Sequence, residues 1–175
     1  NLTDGLGHLV EGTLMSVAKR ACTVDVKCRT FQEQQGRAIQ LAIAPVKNAS
    51  RFEWFVEKAT ELGVHSIIPI LTKRTEKERL RTDRLRSVAQ AAMLQSQQVW
   101  LPLLATPVKF KEALQSSKEA QKLIAHCAPT HKLSIKKIEA ASELVLLIGP
   151  EGDFSSTEID LAISQGFQAI DLGPT

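Results

Sequence analysis

The sequence predicts an α/β domain with a parallel sheet, preceded by a small β-domain. Two stretches, 39–71 and 144–171, each show the order strand, helix, strand, which is typical of a βαβ unit. Parallel strands end at one edge of their sheet, and ligands bind at that edge in open α/β folds. Residues 1–43, by contrast, contain alternating apolar and polar segments separated by turns, which predict antiparallel strands.

Composition narrows the class of protein. The chain of 175 residues is 43% apolar and 23% charged, as in globular domains, and its net charge of +3 permits an acidic partner without requiring one. The three cysteines form no C-x-x-C pair, which argues against a disulfide framework or a zinc site and fits a reducing cytoplasm. No apolar run approaches the ~18 residues that span a membrane. We therefore expect a cytoplasmic protein that uses neither a membrane nor a metal ion.

The N-terminal β-domain is predicted over residues 1–43. Alternation over residues 22–28 places Cys22 and Cys28 on one face, so we expect both to be small core residues. Residues 32–36 are predicted to form a polar hairpin loop before the next strand. Such a short meander is too small for a stable barrel by itself. We therefore expect the domain to be incomplete at its N-terminus and the sequence to be a fragment of a longer chain.

The α/β domain is predicted over residues 44–175. Ser50 and Glu53 fit a capping box, in which a hydroxyl residue begins a helix and a glutamate three positions later bonds back to it. Apolar residues then recur at helical spacing, and we expect the buried face of this helix to carry Phe52, Phe55, Val56, Ala59 and Leu62. Gly63 ends the helix, and a strand over 65–71 completes the first βαβ unit.

A basic segment follows this unit. Residues 73–86 carry seven basic and three acidic residues, and five of the seven basic residues are arginine. One interpretation is the solvated start of a helix, because mixed charge runs usually lie on solvated faces. The other is a surface that contacts phosphate groups, which the guanidinium fork of arginine matches well. The pattern alone leaves both interpretations open.

Shorter elements lead to the second βαβ unit. The predicted elements are a helix over 85–99, a short segment over 101–104, a helix over 110–116, a strand over 122–127, and a loop with a short helix over 128–143. His126 lies at the carboxyl end of its strand. A lone histidine is usually a structural residue, but this position favours a ligand site. Both roles stay open for it.

The second βαβ unit carries the most informative loop. The segment GPEGD, residues 149–153, follows an apolar strand over 144–148 and precedes a capping box at 155–158. It matches neither a P-loop nor the dinucleotide-binding glycine pattern. Because Pro150 has no N–H and Glu151 adds a carboxylate, the loop is poorly suited to phosphate. A neutral or cationic ligand held by backbone groups fits it better.

Three blocks of sequence, taken together, carry a resemblance. They are IGPEGDFS over 148–155, Arg51-Phe-Glu with EKATELGV over 57–64, and Gln95-Ser96 followed by Pro102. In this order and spacing they resemble the 16S rRNA (uracil-N3)-methyltransferase family of the SPOUT superfamily. The resemblance covers the chain from about residue 39 to residue 173.

The resemblance implies a SPOUT-type α/β domain over 44–175 with a trefoil knot near the C-terminus, which would be an exception to the rule against knots. It implies a PUA-like β-barrel domain over 1–43 that binds RNA, a homodimer, and S-adenosyl-L-methionine as the methyl donor. The substrate would be N3 of a uridine in 16S ribosomal RNA, free or within the 30S subunit. Family members continue after Leu-Gly-Pro with a segment that closes the knot, which we expect to be missing after Thr175.

The resemblance also implies site residues. The cofactor would be held at the glycine loop and at two strand ends, by His126, Ile148, Gly149, Pro150, Glu151, Gly152, Leu172, Gly173 and Pro174. RNA contacts would come from Lys47, Arg51, Lys58 and Arg74. Arg51 and Glu151 are the candidates for catalysis, because the N3 proton must be removed or the uracil anion stabilised.

Two positions depart from the family pattern. Asp153 stands where a second glycine is usual, and Gln98 stands where arginine is frequent. We expect Asp153 to act as an anion at the N-terminus of the following helix. We assign no role based on charge to Gln98.

Two other functions stay open at this point. One is a non-catalytic RNA-binding protein that has the same fold. The other is a SPOUT methyltransferase that acts on a different RNA. Binding of S-adenosylmethionine separates the first alternative from an enzyme, and the identity of the methylated nucleotide separates the second.

Overall fold

The computed structural model describes residues 1–76, 79–118, 121–139 and 141–173. Its strands are β1 (Leu2–Thr3), β2 (His8–Ala18), β3 (Ala21–Phe31), β4 (Ala38–Ile43), β5 (Ser66–Leu71), β6 (Leu103–Leu104), β7 (Val108–Lys109), β8 (Gln121–Ala125), β9 (Leu133–Ser134), β10 (Glu143–Ile148) and β11 (Gln168–Asp171). Its helices are α1 (Ala49–Glu61), α2 (Thr82–Gln95), α3 (Phe110–Ser116) and α4 (Ser156–Ser164), with a 3₁₀ turn at Ile135–Lys137. The strands form one antiparallel and one parallel sheet.

The parallel sheet has the order β6-β5-β4-β10-β8-β11-β9, and β7 also pairs with β5. β10 lies between β4 and β8, with Leu146 in register with Leu41 on one side and Leu123 on the other. Because all these pairs are parallel, the loops that follow β4, β5, β8, β10 and β11 meet at one edge of the sheet. The predicted α/β fold with a parallel sheet is therefore confirmed.

Helices cover both faces of this sheet, because successive side chains of a strand point to opposite sides. On one face, α1 and α2 enclose a core around Phe52 and Ile67. On the other face, α3 and α4 enclose a core around Phe110 and Leu147. Double coverage explains why β10 has a continuous apolar run instead of an alternating pattern.

β4 belongs to the parallel sheet and not to the N-terminal β-domain. It pairs in parallel with β5 and β10, and Leu41 lies opposite Ile67 and Leu146. Residues 38–43, which the predicted domain boundary left in the N-terminal domain although the predicted βαβ unit begins at residue 39, are thus part of the α/β unit. Residues 32–36 connect the two sheets instead of closing a hairpin. β4 is apolar because it is a central strand of the parallel sheet, and such a strand is covered on both faces.

β2 and β3 form a long hairpin that is exposed over most of its length. Cys22 and Cys28 are exposed, so the prediction that they are core residues is wrong. The strand and its alternation are as predicted, but neither face is covered along most of the hairpin. Alternation therefore fixes which side chains share a face and does not decide whether that face is buried.

α1 begins earlier than the sequence pattern predicted. Its N-cap is Asn48, whose side-chain oxygen accepts hydrogen bonds from the N–H groups of Ser50 (2.9 Å) and Arg51 (3.4 Å). The capping box predicted at Ser50 is therefore wrong, because the asparagine upstream already satisfies these N–H groups. Gly63 follows the helix with a φ of +75°, as expected. Leu62 is 84% exposed and not buried, because it is the C-cap residue, where helical spacing no longer sets side-chain direction.

Candidate functional site

The loop after β10 is a tight turn that depends on glycine. The N–H of Asp153 donates to the carbonyl oxygen of Pro150 at 2.9 Å and closes the turn. At Gly149, a Cβ atom would lie 3.2 Å from both the ring and the backbone nitrogen of Phe154, which is closer than ordinary packing. The loop therefore presents bare backbone at the carboxyl edge of the sheet.

Asp153 ties this loop to the loop after β8. Its Oδ1 accepts a hydrogen bond from the N–H of Phe154 and its Oδ2 accepts one from the N–H of Cys127, both at 2.8 Å. Its φ of +63° lies in the left-handed region, which glycine adopts freely and aspartate tolerates. The expectation that Asp153 serves the first turn of α4 is thus corrected. In this backbone conformation the carboxylate reaches two N–H groups of the loops instead.

His126 is the first residue after β8 and is only 6% exposed. Neither ring nitrogen has a hydrogen-bond partner among the residues that the structure describes. Burial lowers the pKa of this imidazole below its usual value of 6.5, Lys132 lowers it further, and Asp153 acts in the opposite direction. A neutral imidazole offers one donor and one acceptor, and buried groups of this kind normally have partners. His126 is therefore suited to a polar group of a ligand.

A basic cleft adjoins the glycine loop. Its volume is about 520 Å³, and it is lined by Lys47, Lys73, Arg74, Thr75, Glu76, Glu151 and Gly152. The backbone N–H of Lys47 donates to Glu151 Oε1 at 3.0 Å, and its Nζ lies 3.1 Å from Glu76 Oε2. Because three cations face two carboxylates, the cleft keeps a positive charge that suits a ligand with phosphate groups.

Two long-range hydrogen bonds hold the basic segment against the glycine loop and α4. The guanidinium group of Arg74 donates to the carbonyl oxygen of Gly152. The N–H of Lys73 donates to Glu158 Oε1 at 2.8 Å. The other carboxylate oxygen of Glu158, Oε2, accepts a hydrogen bond from the N–H of Ser155 at 2.9 Å. This bond confirms the capping box predicted for α4. Since α2 begins later in the basic run, this part of the run is a loop and not the start of a helix.

Two predicted RNA-contact residues lie outside the lining of this cleft. Lys58, on α1, has its Nζ 2.8 Å from Glu57 Oε1 and 2.9 Å from Glu61 Oε1. Hydrogen bonds that Lys58 donates to these two carboxylates, first Glu57 and then Glu61, raise the pKa of Lys58. Arg51 is exposed in the first turn of α1. Of the four residues predicted to contact RNA, the cleft therefore brings together Lys47 and Arg74.

The remaining predicted cofactor residues follow the ends of β10 and β11. Ile148 is the last residue of β10 and is half-buried. Leu172 and Gly173 come directly after β11, at the same edge of the sheet. The N–H of Gly173 donates to Asp171 Oδ1 at 2.9 Å, and Gly173 has a φ of +111° that favours glycine. Pro174 lies outside the described residues.

Three residues of this edge were not singled out from the sequence. Lys73 and Glu76 belong to the basic run, so their charge was the available signal. Lys132 lies in a polar loop without a local pattern, and its Nζ donates to the carbonyl oxygen of His126 at 3.0 Å. Only the fold creates that contact, and no sequence signal could have found it.

Neither a cluster of potential metal ligands nor a helix of membrane-spanning character occurs in the described part of the chain. Within it, no group of three or more His, Cys, Asp or Glu side chains is arranged to hold a metal ion. None of the helices in the same part of the chain has the length and apolar character to cross a membrane.

Comparison with known sequences gives one consistent family. The profile of a family described as an RNA methyltransferase domain matches residues 33–175. Ribosomal RNA small subunit methyltransferase E of Synechocystis sp. is 33% identical over 142 residues, which are 77% of this chain and 46% of that protein. The protein of the same name from Mesomycoplasma hyopneumoniae is 32% identical over 142 residues, covering 77% and 61% of the two chains. The chain thus spans less than two thirds of the length of either relative.

Solved structures agree with this family. A protein from Porphyromonas gingivalis, described as an rRNA methyltransferase, superposes with a TM-score of 0.91 at 30% identity, covering 99% of this chain and 75% of that one. A protein from Legionella pneumophila, described as a methyltransferase and solved with bound cofactor SAM, gives a TM-score of 0.88 at 27% identity. That match covers 99% of this chain and 74% of the other.

Proposed function

The chain belongs to the RNA methyltransferase family, as its resemblance predicted, and we propose that it transfers a methyl group from S-adenosyl-L-methionine to N3 of a uridine in 16S ribosomal RNA. One observation carries this proposal: a glycine loop suited to a cofactor and a basic cleft suited to RNA share Glu151 and Gly152. The names of the relatives support the same substrate class. The cofactor in the Legionella structure supports the same methyl donor.

The residues at the sheet edge fit S-adenosylmethionine. Gly149 and Gly152 leave backbone accessible, and His126 brings a buried donor and acceptor that have no partner among the described residues. Pro150 and Glu151 make the loop unsuitable for phosphate, which this cofactor lacks. We therefore infer that His126, residues 148–152, Leu172, Gly173 and Pro174 hold the cofactor. When bound, S-adenosylmethionine supplies a methyl group activated by a positively charged sulfur.

The cleft would bind the RNA backbone and present the uracil ring. The backbone of Lys73 is held by α4 and the guanidinium group of Arg74 is held by the glycine loop, so the positive charge of Arg74 is positioned before RNA arrives. Contacts of this kind fix the register of the RNA, and they do not by themselves read its sequence. A uridine in a loop or an unpaired segment can leave its stack and enter such a cleft at low cost.

Glu151 is the better placed of the two predicted catalytic residues. It lines the cleft, and the N–H of Lys47 holds its carboxylate at 3.0 Å. We infer that this carboxylate accepts the N3 proton as the methyl group is transferred, since the nitrogen needs its lone pair for attack. Arg51 does not line the cleft, and its role as a stabiliser of the uracil anion stays a prediction.

We also propose the finer architecture that the resemblance implied. The antiparallel sheet β1–β3 supports a PUA-like β-domain that contacts RNA, although β4 belongs to the α/β unit. A trefoil knot near the C-terminus, a homodimer and a cytoplasmic protein that acts on the 30S subunit rest on the resemblance. Light scattering of the full-length protein tests the dimer, because it measures the molecular mass in solution. A mass equal to that of a single chain would contradict the dimer.

The function is tested by incubating the full-length protein with labelled S-adenosylmethionine and with 30S particles, free 16S RNA or 23S RNA. We expect label in 16S RNA, and a block to reverse transcription at the modified uridine because N3 methylation removes a base-pairing position. Glu151→Gln should lose most of the activity, whereas Glu76→Gln, in the same cleft, should keep most of it. Binding of RNA without a calorimetric signal for S-adenosylmethionine would favour the non-catalytic alternative. Label at another RNA would favour a different methyltransferase.

A further inference from the structure

One peptide group at the site is held by two charged side chains of opposite sign. It joins His126 to Cys127, immediately after β8. Its C=O accepts a hydrogen bond from Lys132 Nζ at 3.0 Å, and its N–H donates to Asp153 Oδ2 at 2.8 Å. Hydrogen bonds with an ionised partner are stronger than those between neutral groups. The cation on the C=O and the anion on the N–H also match the peptide dipole.

The hydrogen bonds of the parallel sheet do not hold this peptide group. The pairs of β8 with β10 and with β11 both end at Ala125. Beyond that residue the backbone is held by hydrogen bonds to two side chains. Asp153 comes from the loop after β10, and Lys132 comes from the chain that follows the histidine itself.

The orientation of this peptide group fixes the ψ angle of His126, and the backbone angles restrict which side-chain rotamers the imidazole can adopt. The ring is 6% exposed and has two nitrogens without a partner among the described residues. We propose that Asp153 and Lys132 are positioning residues for the methyl donor, which act by fixing the peptide group between His126 and Cys127 and thereby the direction of the imidazole. This inference rests on the proposed function, because the ligand of the imidazole is taken to be S-adenosylmethionine.

The backbone conformation at Asp153 allows the carboxylate to be removed by mutation without disturbing the turn. With a φ of +63°, the position accepts glycine without strain. Asp153→Gly therefore removes the carboxylate and keeps the turn. Asp153→Asn keeps one oxygen that can accept from one of the two N–H groups. Lys132→Met keeps the aliphatic stem and removes the charge.

The test is calorimetry of S-adenosylmethionine binding to the full-length protein, without RNA. We expect Asp153→Gly and Lys132→Met each to weaken binding by about tenfold, as the loss of a charge-assisted hydrogen bond predicts. Asp153→Asn should recover part of the affinity. Asp160→Asn, an exposed aspartate on α4, is the matched control and should bind like the wild type.

A double-mutant cycle with His126→Ala shows whether the effect passes through the imidazole. If it does, Asp153→Gly should cost little further affinity once His126 is replaced, because coupled residues are not additive. Full additivity, or wild-type affinity of both Asp153→Gly and Lys132→Met, overturns the inference and leaves the proposed function intact. If Asp153→Gly does not fold, the affinity of Lys132→Met for S-adenosylmethionine, alone and combined with His126→Ala, tests the inference by the same criteria. A wild-type protein that binds no S-adenosylmethionine overturns the proposed function and this inference together.

Discussion

The carboxylate of Glu158 accepts a hydrogen bond from the backbone N–H of Lys73 at 2.8 Å, across 85 positions of sequence. The same carboxylate accepts the N–H and the hydroxyl group of Ser155, at 2.9 Å and 2.7 Å, and so begins α4. A capping box that looks local in the sequence thus also holds the basic segment against the site. Helix initiation and the shape of the basic cleft depend on one side chain.

Replacing Glu158 by alanine should therefore destabilise the protein and loosen the cleft. We expect the free energy of unfolding to fall by about 1–2 kcal/mol, the sum of a lost cap and a lost backbone contact. Urea denaturation monitored by circular dichroism measures this change. Asp160→Ala, on the exposed side of the same helix, serves as the control. A Glu158 variant as stable as that control would contradict the assignment.

The N-cap of α1 gives a second test of stability. Asn48→Ala should lower the free energy of unfolding by about 1 kcal/mol, because two N–H groups lose their acceptor. Ser50→Ala should change it by less than about 0.5 kcal/mol, since the structure gives that hydroxyl group no capping role. Thermal denaturation of the two variants decides the matter. The reverse order of stability would favour the capping box expected from the sequence.

These two helix starts show what local sequence can predict. The capping box at Ser155 was predicted correctly, although Asp153 two residues earlier is also a good cap residue, because the Asp153 carboxylate accepts the N–H groups of Phe154 and Cys127 instead. At Ser50 the same pattern failed, because Asn48, two residues earlier, is an equally good cap and the pattern cannot rank them. Boundaries are thus less certain than the presence of the element.

Burial and long-range contacts were harder to predict than strands and helices. Alternation placed Cys22 on a strand correctly, but only the packing of other elements decides whether that strand is covered. The glycine loop and His126 were singled out from the sequence because they lie at predicted strand ends, where ligands bind in folds of this class. The bonds of Asp153 and Lys132 to one peptide group join the loop after β8 to the loop after β10, and no spacing in the sequence encodes such a meeting.

The two glycines of the glycine loop, Gly149 and Gly152, should differ in their tolerance of alanine. In Gly149→Ala, the Cβ would lie 3.2 Å from the backbone nitrogen of Phe154, so the turn itself must shift. In Gly152→Ala, the nearest atom is Arg74 Cδ at 3.4 Å, in a flexible side chain that can move. We expect Gly149→Ala to cost more stability and more cofactor affinity. Denaturation and calorimetry of the pair measure both quantities, and equal losses would contradict the difference in packing.

Stability should fall on acidification through His126. Its pKa is lowered in the folded protein, by burial first and by Lys132 second, against the opposing influence of Asp153. The unfolded chain therefore binds a proton at a higher pH than the folded chain does. The contribution of the neutral imidazole is fully present above the ordinary pKa of 6.5 and is lost as the pH falls through the lowered value.

Replacing this histidine should flatten the pH dependence below 6.5. The measurement is the free energy of unfolding between neutral and mildly acidic pH, for the wild type and for His126→Gln. His131→Gln, which changes an exposed histidine, should leave the wild-type slope in place. If His126→Gln keeps the full slope, another group is responsible for it.

RNA binding should distinguish two lysines that were predicted alike. Lys47 lines the basic cleft and its ammonium group pairs with Glu76, whereas Lys58 lies outside that lining and its ammonium group pairs with both Glu57 and Glu61. Because a phosphate contact releases counterions, Lys47→Ala should reduce the slope of log K against log salt by about 0.7 to 0.9. Lys58→Ala should leave the slope nearly unchanged, since its charge is already compensated. Fluorescence anisotropy with a fragment of 16S RNA at several salt concentrations measures both slopes, and equal reductions would mean that the RNA also covers α1.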